Sequence, residues 1–264
     1  MLSVETYPSA AEAARALGPG ARFLAGGTLV MRDANFALPG LSRIVRTTDA
    51  SLRGVRTDRG EIVIGAATSM AEIIAHPDTT LLAPVARAIG GPALRNMASV
   101  GGNLFAPHPY GDFATALLAL DARAQMADGA EIALSDLLAR RDAPGGLVTA
   151  LRLARPDAGT FRFRKVARVK PKGVSVMSMA AVLPRPAGRI AGARVAYGAM
   201  APTPIRMPAV EQALEGATLD AAGIARALAV AAQGLSPPQD ALASSWYRAE
   251  VAPVHLRRLL LEER

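Results

Sequence analysis

Two short runs carry paired glycines beside small polar donors: Ala25-Gly26-Gly27-Thr28, and Ser99-Val100-Gly101-Gly102-Asn103. Glycine lets a backbone bend into left-handed conformations and approach a ligand with no Cβ in between, so successive N–H groups can converge on an anion. Thr28, Ser99 and Asn103 add side-chain donors, and a phosphate fits such a nest. Neither run has the G-K-S/T of a P-loop or the G-x-G-x-x-G of a dinucleotide-binding turn. Taken alone, each is also explained by a hairpin or helix-stop glycine pair. Asp112 follows Asn103 by nine residues and precedes an apolar stretch of helical composition, Phe113 to Leu120. An ionised carboxylate only accepts hydrogen bonds, so Asp112 suits the N-cap of that helix.

The elements that must hold these residues are legible in outline. Ser9 and Glu12 have capping-box spacing before an alanine-rich helix, and Ser69 and Glu72 repeat it, with His76-Pro77 as the stop. A short apolar strand, Arg22 to Ala25, runs into the first glycine pair, and S-R-I-V-R-T-T-D and G-E-I-V-I-G-A-A-T-S are β-rich. The break Gly90-Gly91-Pro92 predicts that the second glycine run lies in a loop. After the Asp112 helix, A-R-A-Q-M-A-D, A-E-I-A-L-S-D-L-L-A-R-R and G-L-V-T-A-L-R-L-A read as strand, strand plus short helix, and strand, and Arg155 to Thr160 has the composition of a linker. Beyond it, F-R-F-R-K-V-A-R-V, V-S-V-M-S-M-A-A-V-L and R-I-A-G-A-R-V-A-Y-G-A-M predict a three-stranded antiparallel sheet, followed by helices. Pro253 should kink or break the last of them.

Composition excludes several chemistries. With no cysteine, the chain offers no disulfide, thiolate nucleophile or cysteine-ligated iron–sulfur cluster, so a redox centre here must be a bound organic molecule. A net charge of +8 invites a nucleic-acid reading, but the arginines are scattered and only 4% of residues are aromatic, leaving few platforms for bases. No window is long and apolar enough to span a bilayer and no secretory leader is evident, so a cytoplasmic location is expected. His76, His108 and His255 share no metal-ligand spacing, and no Ser–His–Asp arrangement is supported. No metal site and no catalytic acid, base or nucleophile is expected.

The strand ending in A-G-G-T, the S-V-G-G-N-L run with Asp112 and its Ala/Leu helix, F-R-F-R-K-V-A-R-V, and Y-R-A-E-V-A-P-V-H-L-R-R-L-L extend over essentially the whole chain. In these motifs the chain resembles the flavin-binding subunits of molybdenum hydroxylases, the family of carbon monoxide dehydrogenase medium subunits and of the xanthine dehydrogenase flavin domain. The resemblance implies an α+β protein with a p-cresol-methylhydroxylase-type (PCMH-type) FAD-binding fold. Residues 1–155 would form the FAD domain from two α/β subdomains, about 1–55 and 56–155, and residues 160–264 a C-terminal domain of three-stranded sheet plus helices. It also implies FAD as cofactor, with Phe23, Leu24, Ala25, Gly26, Gly27, Thr28, Leu29 and Val30 around its pyrophosphate and Ser99, Val100, Gly101, Gly102 and Asn103 as a second phosphate loop. Asp112 matches an acid that contacts the adenosine part, and Lys165 a basic position near the flavin ring, where a cation favours the anionic reduced form. Leu147 would pack on the ring system unless it is a core strand residue, and Tyr110 would stack or hydrogen-bond beside the ligand. The implied partners are a molybdenum-cofactor large subunit and a 2Fe-2S small subunit. A stand-alone FAD oxidoreductase and an assembly subunit that has lost its flavin are the alternatives. The chain departs from the family where Leu29-Val30-Met31 follows Thr28 directly, and where K-P-K-G precedes Val174 without the usual Asp-containing pair.

Overall fold

A computed structural model describes residues 2–142, 146–169 and 173–263; Lys170 to Lys172, in the departing K-P-K-G run, lie outside them. The chain divides into two compact units, Met1–Ala106 with Arg123–Leu153, and Pro107–Ala122 with Ala154–Arg264.

The first unit opens with β1 (Ser3–Tyr7), α1 (Ala10–Ala16), β2 (Ala21–Phe23), α2 (Val30–Asn35) and β3 (Arg43–Thr47). Both β1 and β2 pair with β3 in parallel, giving the order β1-β3-β2. Parallel neighbours need a crossover, which α1 and α2 supply. The chain continues through β4 (Val55–Asp58), β5 (Glu61–Gly65), α3 (Met70–Ala75), α4 (Ala83–Arg87), α5 (Pro92–Met97) and α6 (Val100–Leu104). It leaves for α7 (Asp112–Ala119) in the other unit and returns as β6 (Arg123–Met126), β7 (Glu131–Ala133), α8 (Leu134–Ala139) and β8 (Val148–Ala154). Strands β4 to β8 form a second sheet in the order β4-β5-β8-β6-β7.

Both predicted caps are present. Ser9 accepts from the Glu12 N–H, and Ser69 and Glu72 form the complete reciprocal box, with Ser69 Oγ taking the Glu72 N–H at 3.2 Å and Glu72 Oε2 taking the Ser69 N–H at 2.7 Å. Ser69→Ala removes one arm of this box and should cost about 1 kcal/mol, read as a lower urea midpoint with an unchanged slope. An unchanged midpoint would show that the box contributes nothing.

The second unit is built on β9 (Phe161–Ala167), β10 (Ser175–Val182), β11 (Arg194–Gly198) and β12 (Ile205–Arg206), in the order β12-β11-β10-β9 with antiparallel pairing. The expected three-stranded sheet therefore has a fourth strand. At two residues between Pro204 and Pro208, β12 is too short to show an alternating pattern. Helix α7, with every residue buried, packs on β10 and β11. α9 (Pro208–Leu214), α10 (Ala225–Ala229) and α11 (Ser245–Leu260) share a core with Met177, Met179, Val195 and Tyr197 of the sheet. Covered on both faces, β10 is buried along its whole length, which is why it reads as a near-continuous apolar run.

Pro253 does not break α11, which runs unbroken from Ser245 to Leu260. The proline costs one intrahelical bond, but Ala252, Leu256, Leu259 and Leu260 bury their side chains on the core, and Ala249, whose carbonyl loses its partner, is only half-buried. Among the described residues no helix is long and apolar enough to cross a membrane.

Candidate phosphate-binding site

Strand β2 ends as expected at the first glycine run, its direction fixed by the Leu24 N–H donating to Val45 O at 2.7 Å. The chain then turns, and the next backbone amide used is that of Met31, which donates to Gly27 O at 2.9 Å as α2 begins. Among the described residues, the N–H groups of Ala25, Gly26, Gly27, Thr28, Leu29 and Val30 have no hydrogen-bond partner. Apart from exposed Ala25 these residues are half-buried. Consecutive sheltered donors without acceptors are uncommon, because each such group normally finds a partner or water. They add up to a local positive potential suited to an anion.

The two glycines have different reasons. Gly27 has φ +77°, a conformation that disfavours a side chain. At Gly26, a Cβ would lie 1.6 Å from Met97 O and 3.3 Å from Ser99 N. The first run thus lies directly on the backbone that enters the second, and two motifs distant in sequence meet through bare main chain.

The second run is not the expected loop. Val100–Leu104 is one turn of helix, α6, with Ser99 as N-cap, and Ser99 Oγ takes the Gly102 N–H at 3.2 Å. Val100 N–H donates to Thr68 O at 2.9 Å, Gly101 N–H to Ala66 O at 2.7 Å and Asn103 N–H to Ser99 O at 3.1 Å. The amides expected to line a second nest are therefore engaged within the protein. A serine cap followed by residues able to close a turn outweighed the low helix propensity of the glycine pair. Gly101 is also in tight contact, its missing Cβ lying 3.0 Å from Ala66 O.

Leu147 is 7% exposed and belongs to the core cluster of Ala21, Val45 and Leu52, with Phe23 packed against it. In the second unit, Asp112 and Lys165 come together: Lys165 Nζ lies 2.9 Å from Asp112 Oδ2, with side-chain exposures of 14% and 7%. Ser175 Oγ donates to Asp112 Oδ1 at 2.6 Å. Asp112 is not the N-cap of its helix. That position is Gly111, at φ +103° and without a side-chain cap, and Asp112 is the first helical residue, where its charge suits the helix dipole. Tyr110, just before it, is exposed.

Sequence reasoning missed Met97 and Ser175, which act through backbone contact and a single hydroxyl and carry no spacing signal. It also missed a chain of charges in the second unit. Arg248, fully buried, donates to both oxygens of Asp240, and Asp240 Oδ2 lies 2.7 Å from His108 Nε2. Burial opposes ionisation of Asp240, but His108, the Ala243 and Leu242 N–H groups and Arg248 outweigh it and hold the carboxyl well below the usual carboxylate range.

Comparison with known proteins adds independent findings. Residues 1–155 match the family model described as the FAD binding domain in molybdopterin dehydrogenase, and residues 162–263 that of the CO dehydrogenase flavoprotein C-terminal domain. The chain is 26% identical to the xanthine dehydrogenase FAD-binding subunit of Escherichia coli O157:H7, over 99% of this chain and 97% of that one. It is 27% identical to the carbon monoxide dehydrogenase medium chain of Hydrogenophaga pseudoflava, over 92% and 89%. A solved structure of reconstituted CO dehydrogenase from Oligotropha carboxidovorans superposes with a TM-score of 0.89 at 26% identity, covering 98% of this chain and 96% of that chain.

Proposed function

The chain belongs to the family of FAD-binding domains in molybdopterin dehydrogenases, and on that premise we propose that it is the FAD-carrying electron-transfer subunit of a molybdenum-containing hydroxylase or dehydrogenase. The observation that carries this reading is the run of partnerless N–H groups from Ala25 to Val30, pressed onto Met97 through Gly26. It has the chemistry a pyrophosphate requires: several fixed backbone donors, no side-chain charge to compete, and no Cβ to hold the ligand away. Because these donors are main chain, the replacement of a polar residue by Leu29 after Thr28 leaves them intact.

On this reading Phe23 to Val30 hold the pyrophosphate. Ser99, Val100, Gly101, Gly102 and Asn103 form its platform, with the Ser99 and Asn103 side chains at the edge, and Leu147 fixes the sheet beneath. In the second unit, each Asp112 oxygen already takes one hydrogen bond and keeps a lone pair for a hydroxyl such as ribose offers. The Lys165 charge is neutralised locally by Asp112, so the pair orients a ligand more than it adds positive potential.

FAD, once bound, supplies the redox chemistry; the protein holds it, orients it and shields it. A molybdenum-cofactor large subunit would oxidise the substrate, and a 2Fe-2S small subunit would deliver electrons here for transfer to an external acceptor. The absence of cysteine fits that division, since such a cluster needs thiolate ligands from another chain. The purified full-length chain should carry flavin absorption near about 450 nm, a property of the cofactor, and take up FAD again after its removal. A colourless protein that gains no flavin on incubation with FAD would refute the proposal.

A further inference from the structure

The methionines divide sharply between interior and surface. Of the nine, eight lie among the described residues, and six of those are 6% exposed or less. The other two, Met31 at 42% and Met97 at 57%, stand on one feature, the turn from Ala25 to Val30. Met97 meets the turn through main chain, its carbonyl oxygen filling the space beside Gly26. Met31 meets it through its side chain. Met31 Cγ lies 3.3 Å, and Leu24 Cδ1 3.2 Å, from the point where a Cβ on Gly27 would stand, so the two side chains close over that glycine.

This packing matters because the backbone amides hold the turn only at its ends. Leu24 N–H donates to Val45 O at 2.7 Å on entry and Met31 N–H to Gly27 O at 2.9 Å on exit, while the six amides between have no partner among the described residues. A segment with so few bonds of its own belongs to the part of a structure that opens at low cost. Met31 therefore combines two properties: it is apolar cover for the turn, and it is open to small solutes in water. A thioether so placed is a target for peroxides.

We propose that Met31 is an oxidation site whose sulfoxide loosens the Ala25 to Val30 turn and so makes flavin retention sensitive to peroxide. The effect on flavin rests on the reading of that turn as the pyrophosphate site. In the reaction, a lone pair of Met31 Sδ attacks one oxygen of hydrogen peroxide. The O–O bond breaks, an S–O bond forms, and the other oxygen leaves as water with both protons. Sulfur loses two electrons and the peroxide gains them. The product carries a strongly polar S–O group where Met31 covers Gly27 beside Leu24. Held there, that group is taken out of water against an apolar neighbour; turned out to water, it no longer covers the glycine. Met97 is oxidised too, but without this consequence, because its contact with Gly26 is made by the carbonyl.

The test treats the flavin-free full-length chain, Met31→Leu and Met97→Leu with hydrogen peroxide, maps oxygen uptake by peptide mass spectrometry, and compares each protein with its own untreated sample. The readouts are FAD titration and hydrogen exchange at the amide of position 31, whose bond to Gly27 O closes the turn. In the unmodified chain, Met31 and Met97 should each gain one oxygen before any other described methionine. FAD should then bind about tenfold more weakly, the scale of setting a polar group against a partly exposed apolar contact, and the Met31 amide should exchange faster. Methionine sulfoxide reductases should reverse both changes. Met97→Leu should lose as much as the unmodified chain, whereas Met31→Leu, with no sulfur at that position, should stay within about twofold of its untreated sample. Peroxide that spares Met31, or an oxidised Met31 with unaltered exchange and affinity, would overturn the proposal. So would an equal loss in Met31→Leu, which marks damage elsewhere. If the untreated chain binds no FAD, the flavin reading fails on that measurement, and exchange at position 31 alone decides whether the sulfoxide loosens the turn.

Discussion

Gly26→Ala should yield a protein that retains no FAD and is destabilised by about 3 kcal/mol or more, at the upper end of what overpacking costs. The clash is with main chain: the added methyl would lie 1.6 Å from Met97 O and 2.6 Å from Met97 C, and no side-chain rotation relieves it. Either the Ala25 to Val30 turn lifts away from α5 or Met97 is displaced with the chain that leads into α6. Both movements separate the two motifs and disperse the N–H groups that converge on the ligand. Gly102→Ala is the matched control. Its methyl meets only Ser99 Oγ, at 3.0 Å, inside a helical turn that alanine favours, so flavin should be kept. The measurement is flavin absorbance per protein after gel filtration, with a urea midpoint for each variant. A Gly26→Ala protein with full flavin content and an unmodified midpoint would refute the geometry on which the site rests.

Asp112→Ala should destabilise the protein by about 3–5 kcal/mol, because it removes the buried carboxylate that pairs with the Lys165 ammonium. Lys165 is only 14% exposed, so water compensates little, and Ser175 loses its acceptor as well. The double variant Asp112→Ala/Lys165→Met removes both charges and should recover most of the loss, as replacement of a buried pair by apolar side chains commonly does. Denaturant unfolding of the two single variants and the double gives the coupling energy directly. Additive losses would mean that the pair contributes nothing beyond its separate residues. If stability recovers in the double variant while FAD affinity does not, the carboxylate has a ligand role separate from its structural one.

The parts of this protein that follow local rules are legible in its sequence. Ser9 and Ser69 mark their helices because an N-cap oxygen is a local device, and β10 shows its burial in an unbroken apolar run. The A-G-G-T run could be picked out by residue type, and so could Asp112 ahead of its helix. What could not be read depends on contacts between distant segments. Nothing near Gly26 says that a carbonyl seventy-one residues further on will occupy its missing Cβ. Ser175 carries no signal as a carboxylate partner, and His108 and Asp240 are 132 residues apart in the chain. The second glycine run was misread for a different reason. Glycines suggest a loop, but Ser99 was a cap signal in plain view, and tertiary hydrogen bonds to Ala66 and Thr68 stabilise a turn that propensity alone would not. The fourth strand, β12, escaped because two residues between prolines have no period to detect.

The central claim is that the partnerless amides of Ala25 to Val30 receive the pyrophosphate of FAD, and amide hydrogen exchange on the flavin-free full-length chain tests it most directly. These N–H groups have no acceptor among the described residues, so they should exchange rapidly in the free protein. FAD should slow them, and riboflavin, which carries the same ring without phosphate, should not. Exchange at Ala25 to Val30 that is unchanged by FAD, or slowed as much by riboflavin, would contradict the account.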